Sequence, residues 1–299
     1  MHPDSDSCSE SSRPITPSED DCCHNECNPC IFDIHRKLLE EYERRKKGNV
    51  TIENRKNVLC SFLYKNFAVV DVKEACECYI LLSLSYQGNE SKNDTSVSID
   101  PGQHVMLHLQ DTTKPFTPIA WSDNSIDFLI RLYPNGKFST HLRNVEIGDI
   151  IRIRGPYGNF EYKCNSFQRI IMFSMGSGIT AIYPIAKAVI DNELEETKIY
   201  LVGGFRNISQ IPLKKQLQSL SDYWNFKCTL YISQLHNDVR DLHGINVKPG
   251  RLNKDSVSDT LESNAIDTTL ILICGTHEFN RSVEQWTRCL NYTHMHVFE

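Results

Sequence analysis

The sequence holds no apolar run near the ~20 residues that cross a bilayer, so a spanning helix is not expected. Residues 1–20 are polar and acidic and lack the basic-then-apolar order of a secretory leader. Positive charge is not in excess: 32 Lys and Arg stand against 38 Asp and Glu, a formal net charge of −6. That balance argues against nucleic acid as a main partner, because phosphate contacts need a concentrated basic surface. There is no Ser-His-Asp or paired-carboxylate signature, no standard G-x-G-x-x-G, and no internal repeat. These absences predict a soluble, intracellular, cytoplasmic protein. Against them stand 40% apolar residues, enough for ordinary cores, and 299 residues, about two domains at roughly 150 residues each. The chain has twelve cysteines, four of them at Cys22, Cys23, Cys27 and Cys30.

Residues 1–20 are rich in Ser, Pro and acids, which predicts a disordered tail. The cysteine cluster follows. Ile31, Ile34, Leu38 and Tyr42 then recur at helical spacing, predicting a helix over residues 31–47. From residue 57 the texture becomes β. Strands are expected over residues 68–72, 78–84, 105–109, 127–132 and 149–154, close together without intervening helices, which predicts an antiparallel β-barrel. After residue 165 short apolar strands alternate with helices. Strands are expected at 170–173, 198–202, 227–232 and 269–274, with helices at 180–192 and 213–220. This βαβ order predicts a parallel sheet with helices on its faces. Residues 236–267 read as a long polar surface excursion.

Four local patterns carry chemistry. Gly176-Ser177-Gly178-Ile179-Thr180 follows a strand and opens a helix, where free N–H groups and the helix dipole suit a phosphate; a purely structural turn reads equally well. Cys274-Gly275 ends the last apolar strand, where ligands of open α/β sheets sit; a buried small residue with a turn glycine is the plainer reading. Lys114-Pro115-Phe116-Thr117 combines a cation, a ring and a hydroxyl, or is simply a Pro-bounded loop. Gly136-Lys137-Phe138-Ser139 resembles a phosphate-facing loop leading into a helix over residues 140–144.

In this order along the chain, the patterns over residues 57–299 resemble the ferredoxin-reductase superfamily, and within it the NADH–cytochrome b5 reductases. The family's flavin motif, Arg-x-Tyr-Thr/Ser, stands here as Lys114, Phe116 and Thr117. Its Lys-Val-Tyr strand end is similar to Arg131-Leu132-Tyr133, preceded by Ile130. Its Gly-Lys-Met-Ser loop resembles Gly136-Lys137-Phe138-Ser139, and its Arg-Gly-Pro-x-Gly turn stands as Arg154-Gly155-Pro156-Tyr157-Gly158. Gly176, Gly178, Ile179 and Thr180 are kept from its glycine turn, Cys274-Gly275 from its Cys-Gly-Pro-Pro motif, and Phe298 from its C-terminal aromatic. The resemblance implies an FAD-binding barrel over residues 57–165 and a nicotinamide-binding α/β domain over residues 166–299.

It also implies the roles of individual residues. Phe116 stacks on the flavin, and Thr117 hydrogen-bonds near its reactive nitrogen. Lys114, Lys137 and Ser139 hold the pyrophosphate. Nicotinamide lies against residues 176–180 and Cys274-Gly275, so Thr117 and Cys274 are the catalytic pair. Lys114 keeps the charge of the family's Arg without its planar fork, and Phe116 keeps the ring without the hydroxyl. In the position of the family's NADH-selecting Asp the chain has Gln210, with Arg206 four residues earlier; Arg206 is either a solvated cation or a ligand for a 2′-phosphate.

The cluster Cys22-Cys23-His24-Asn25-Glu26-Cys27-Asn28-Pro29-Cys30 resembles a short oxidoreductase-like amino-terminal module over residues 21–48. Its thiols suit a metal, a packing or interaction motif, or a redox relay. The reading of the whole chain is an FAD-dependent reductase using NADH, with NADPH open. It passes hydride to flavin and single electrons to a haem protein such as cytochrome b5. The alternative is a non-catalytic, flavin-weak scaffold whose cysteine module binds metal or a protein partner.

Overall fold

The computed structural model describes Thr16, Phe32, His35, Arg36, Leu39 and residues 55–88, 95–235, 242–262 and 264–298. The chain divides into two compact units, Met1–Arg55 and Lys56–Glu299. In the first, Phe32, His35, Arg36 and Leu39 are helical, as the sequence predicts. The acidic tail, the cysteines at 22, 23, 27 and 30, and the ends of that helix lie outside the described residues.

The second unit begins with a short parallel pair, β1 (Lys56–Asn57) and β4 (Thr95–Ser96). Seven strands make an antiparallel sheet: β2 (Lys65–Cys76), β3 (Tyr79–Tyr86), β5 (His104–Leu109), β6 (Thr112–Phe116), β7 (Ala120–Trp121), β8 (Ser125–Arg131) and β9 (Ile150–Tyr157). Their order is β6-β5-β9-β2-β3-β8-β7. β5 and β9 bury alternate residues, as a pleated strand with one covered face does. β5 buries Val105, Leu107 and Leu109; β8 buries Ile126, Phe128 and Ile130. These side chains meet Phe67, Leu82, Leu84, Ile151 and Ile153 in one core. Helix α1 (Lys137–Arg143) covers that core with Phe138 and Leu142, and so begins three residues earlier than expected.

Thr112–Phe116, which reads as a loop in sequence, is a strand. Pro115 is accommodated because β6 is an edge strand, paired only with β5.

The remaining strands form a six-stranded parallel sheet: β10 (Arg169–Met175), β11 (Lys198–Phe205), β12 (Phe226–Ile232), β13 (Ile245–Pro249), β14 (Thr269–Cys274) and β15 (Met295–Phe298). The order is β13-β12-β11-β10-β14-β15. Helices α2 (Ile179–Asp191) and α3 (Lys214–Ser221) pack on one face; α4 (Lys254–Leu261) and α5 (His277–Cys289) pack on the other. Ile170, Met172, Leu270 and Leu272 enter the first layer, while Ile171, Phe173, Ile271 and Ile273 enter the second. Burial on both faces explains why these strands read as unbroken apolar runs.

The polar excursion expected over residues 236–267 is corrected in part, since β13 and α4 lie within it. β13 is an edge strand with little apolar sequence, and α4 buries only Ser256, Val257 and Leu261. Its start is marked by Asn253, whose side chain accepts from Ser256 N at 2.9 Å.

Candidate functional site

The order of the parallel strands turns back at β10: β11, β12 and β13 extend to one side, β14 and β15 to the other. Ligands of open α/β sheets bind outside the carboxyl ends of strands at such a switch point. A cleft of about 760 Å³ opens there. Its sheet wall is Met175, Gly176, Ser177, Gly204–Arg206, Tyr231, Ser233, Gln234, Gly275 and Thr276; its barrel wall is Tyr79, Arg131 and Tyr133. A hollow of about 710 Å³ along α5 takes its described lining from that helix and brings no strand ends together.

The sheet wall is shaped by backbone. Gly176 has φ +56°, a left-handed conformation that favours glycine. A Cβ on Gly178 would fall 2.1 Å from the Cys274 carbonyl oxygen, so the turn and the end of β14 close together only around glycine. A Cβ on Gly275 would fall 2.5 Å from the Phe279 ring. The Thr180 hydroxyl donates to Ser177 O at 3.0 Å and holds the turn. Burial pushes the Cys274 thiol up to about 12, so it is a neutral group at physiological pH.

The barrel wall is shaped by side chains. Arg131 leaves the end of β8 with its guanidinium carbon 5.9 Å from the Tyr79 ring centre and 5.3 Å from that of Tyr133. One terminal nitrogen lies 3.3 Å from where a Cβ on Gly176 would sit, so the guanidinium meets the glycine turn across the cleft. Burial raises the Tyr79 phenol to about 12 even with Arg131 pulling it down. Tyr133 is 51% exposed, yet its backbone is fixed. Its N–H donates to Ser139 Oγ at 3.0 Å, and its carbonyl accepts from Arg143 at 2.9 Å.

Phe116 is half-buried, its ring 5.1 Å from that of Phe138. Lys114 and Pro115 are exposed. Thr117 is half-buried, and its hydroxyl has no partner among the described residues. Lys137 pairs with Asp111 at 2.7 Å, and His141 reaches the same carboxylate at 3.2 Å. The Lys137 hydrogen bond, with those of Thr112 and His141, draws Asp111 down to about 2. Lys137 and Asp111 are 65% and 63% exposed, so this pair is weak and leaves the ammonium within reach of solvent.

Other expected site residues sit elsewhere. The side chains of Ile130 and Phe138 are in the barrel core: Ile130 alternates with the outward Arg131, and Phe138 lies on the buried face of α1. Phe298 is next to Cys274 in register, but its ring packs on His296 at 4.5 Å and Phe160 at 5.4 Å. Gln210 does line the cleft, and its side-chain amide donates to Glu77 Oε1 at 2.9 Å.

Tyr79, Ser233, Gln234 and Arg251 also line the cleft, although nothing local in the sequence marks them. Glu77, on the β2–β3 hairpin, joins the two sheets. Its N–H donates to Ser209 O at 3.2 Å, and its carboxylate accepts from the Ser209 hydroxyl and Gln210.

An antiparallel flavin-type barrel against a parallel sheet with a glycine cradle at its switch point defines a class. Residues 82–162 match the oxidoreductase FAD-binding domain and residues 172–285 the oxidoreductase NAD-binding domain. Residues 10–50 match the N-terminal domain of oxidoreductase-like proteins. The chain carries an oxidoreductase FAD-binding domain followed by an oxidoreductase NAD-binding domain, and shares its fold with ferredoxin reductases.

Within that class it is similar to the NADH-cytochrome b5 reductase-like protein of Homo sapiens, 26% identical over 94% of this chain and 92% of that one. It is 28% identical to NADH–cytochrome b5 reductase 1 of Arabidopsis thaliana over 68% of this chain and 74% of that one. The cytochrome b5 reductase domain of Ulva prolifera nitrate reductase shares the fold, with a TM-score of 0.71 at 17% identity, covering 81% of this chain and 100% of that one. Among the described residues, no helix is long and apolar enough to cross a membrane.

Proposed function

We propose that the chain is an FAD-dependent NAD(P)H reductase that delivers single electrons to a haem protein such as cytochrome b5. The observation that carries this reading is the cleft itself, where Arg131 of the barrel meets the Gly176 turn of the parallel sheet. The residues fit both cofactors. Glycines hold open the ground next to Cys274 that a side chain would fill, no Asp or Glu among the described residues lines the cleft, and Tyr133 offers an exposed ring on a fixed backbone.

FAD, when bound, supplies the carrier that converts a two-electron hydride into single electrons. The chain's own residues bind, orient and exclude water. The backbone of residues 176–180 opens α2 and offers N–H groups to a pyrophosphate. Neutral Cys274 packs beside the nicotinamide position and keeps water out, without acting as a nucleophile. Thr117 presents a hydroxyl with no partner among the described residues, and Phe116 an apolar face braced by Phe138. Arg131 places a positive charge between the two sites. No side chain needs to move a proton in the hydride step.

Purified protein tests the reading. A yellow preparation whose flavin band bleaches anaerobically with NADH or NADPH, and recovers on adding oxidised cytochrome b5, is the expected result. A colourless protein that takes up no FAD overturns it and favours the scaffold alternative. A flavin that bleaches but does not recover with any haem protein removes the acceptor alone.

A further inference from the structure

We propose that the far end of the cleft is a 2′-phosphate site built by Arg206 and Arg251, so that the chain prefers the phosphorylated nicotinamide dinucleotide. This rests on reading the cleft as a dinucleotide site. Three neighbouring strands end level with one another there: Phe205 pairs with Ile232, and Ile232 with Pro249. The ladder continues past their ends. Ser233 N donates to Phe205 O at 3.0 Å, Gln234 N to Arg206 O at 2.7 Å, and Gly250 N to Ile232 O at 2.9 Å.

Arg206, Ser233-Gln234 and Arg251 therefore leave three adjacent strand ends together. With strands ~4.8 Å apart, the two arginine backbones are separated by roughly 10 Å, a span that two long side chains close around one phosphate. Gly250, at φ +101°, turns the chain at the end of β13, and Arg251 follows it into the lining of the same cleft as Arg206.

Both arginines are exposed and have unfilled donors. Arg206 Nε donates to Gln234 Oε1 at 2.9 Å, which orients its planar fork. Its terminal nitrogens, and all of Arg251, have no hydrogen bond or ion pair among the described residues. Among the described residues no Asp or Glu lines the cleft to accept from a free ribose hydroxyl, whereas three residues of the lining are Arg. Glu77, the carboxylate that feels Arg206, has its two oxygens occupied by Ser209 and Gln210 and lines no part of the cleft. A fork of guanidinium donors with no opposing acid among the described residues is matched by a dianionic phosphate and poorly by a neutral diol.

Calorimetry on the FAD-loaded protein tests this with two ligands that differ only in the group at issue, adenosine 2′,5′-bisphosphate and adenosine 5′-monophosphate. The 2′-phosphate is expected to tighten binding about tenfold, or about 1.4 kcal/mol. Arg251→Gln should remove part of that preference, and Arg206→Gln with Arg251→Gln should bring the two ligands to equal affinity. Thermal melting of each variant checks that it is folded, and both sites are exposed enough to tolerate the change. Equal affinity in the wild type, or a preference that survives the double substitution, overturns the 2′-phosphate site alone. Binding of neither ligand overturns the dinucleotide reading as well.

Discussion

The two walls of the cleft are made of different material. The parallel-sheet wall is backbone, with glycines at positions that admit no other residue, strand ends level in register, and a helix opening at the turn. The barrel wall is side chain, with Tyr79, Arg131 and Tyr133 on a fixed pleat and replaceable one at a time. The difference teaches where tolerance lies. The backbone wall should fail abruptly when altered, and the side-chain wall should change by degrees.

The sharpest way to break that contrast is Gly178→Ala. Its Cβ has 2.1 Å to the Cys274 oxygen, so the turn must move. We expect flavin reduction by nicotinamide to fall by ~100-fold with FAD still bound, and stability to drop by ~1–3 kcal/mol. Stopped-flow reduction and thermal melting measure both; a near-normal rate would show that the backbone wall is as forgiving as the other.

Thr117→Ala should act more mildly, slowing hydride transfer about tenfold, the worth of one well-placed hydrogen bond. The same single-turnover assay reads it, and no change would remove Thr117 from the site.

Lys114→Arg is a test in the other direction. Restoring the planar fork should tighten FAD several-fold, of the order of ~1 kcal/mol, in a fluorescence titration of the apoprotein. Weaker binding would mean that Lys114 does not face the pyrophosphate.

The smallest expected effect concerns the join between the walls. Hydrogen bonds from Ser209 and Gln210, with a minor pull from Arg206, hold the Glu77 carboxyl below the usual Glu range. A lowered carboxylate stabilises the fold above its unfolded pKa, ~4.3, and that contribution is lost as pH falls through the folded value. The melting-temperature gap between wild type and Glu77→Gln should therefore be steady at neutral pH and close in acid. A gap that widens on acidification contradicts the clamp.

Much of the fold was legible because burial writes a period into sequence. Val105, Leu107 and Leu109 announce a one-faced strand, and the unbroken Leu270 to Ile273 a two-faced one. The elements that escaped are those with little to bury. β13 is an edge strand whose apolar residues are Ile245 and Val247. α4 buries Val257 and Leu261 amid polar residues, and α5 buries Phe279 and Val283 along a strongly charged surface.

The site divided in the same way. Gly176, Gly178 and Cys274 are recognisable because the turn needs glycine and sits at a strand end. Tyr79, Arg251 and Glu77 come from distant segments, and no local pattern says that they converge. Ile130 and Phe138, assigned to the cofactor through their motif neighbours, are core residues, because alternation along β8 and the buried face of α1 turn them inward.

The Glu77 hairpin has a consequence for modularity. The loop that follows Arg206 is held by a residue from the other sheet, through Ser209 and Gln210. The nucleotide half is therefore not a free-standing cartridge. Grafted onto a barrel whose hairpin carries no acid at that place, it would keep its strands and glycines but lose the outside anchor that sets its recognition loop. Trading halves between relatives should work only when the hairpin travels with the sheet it holds.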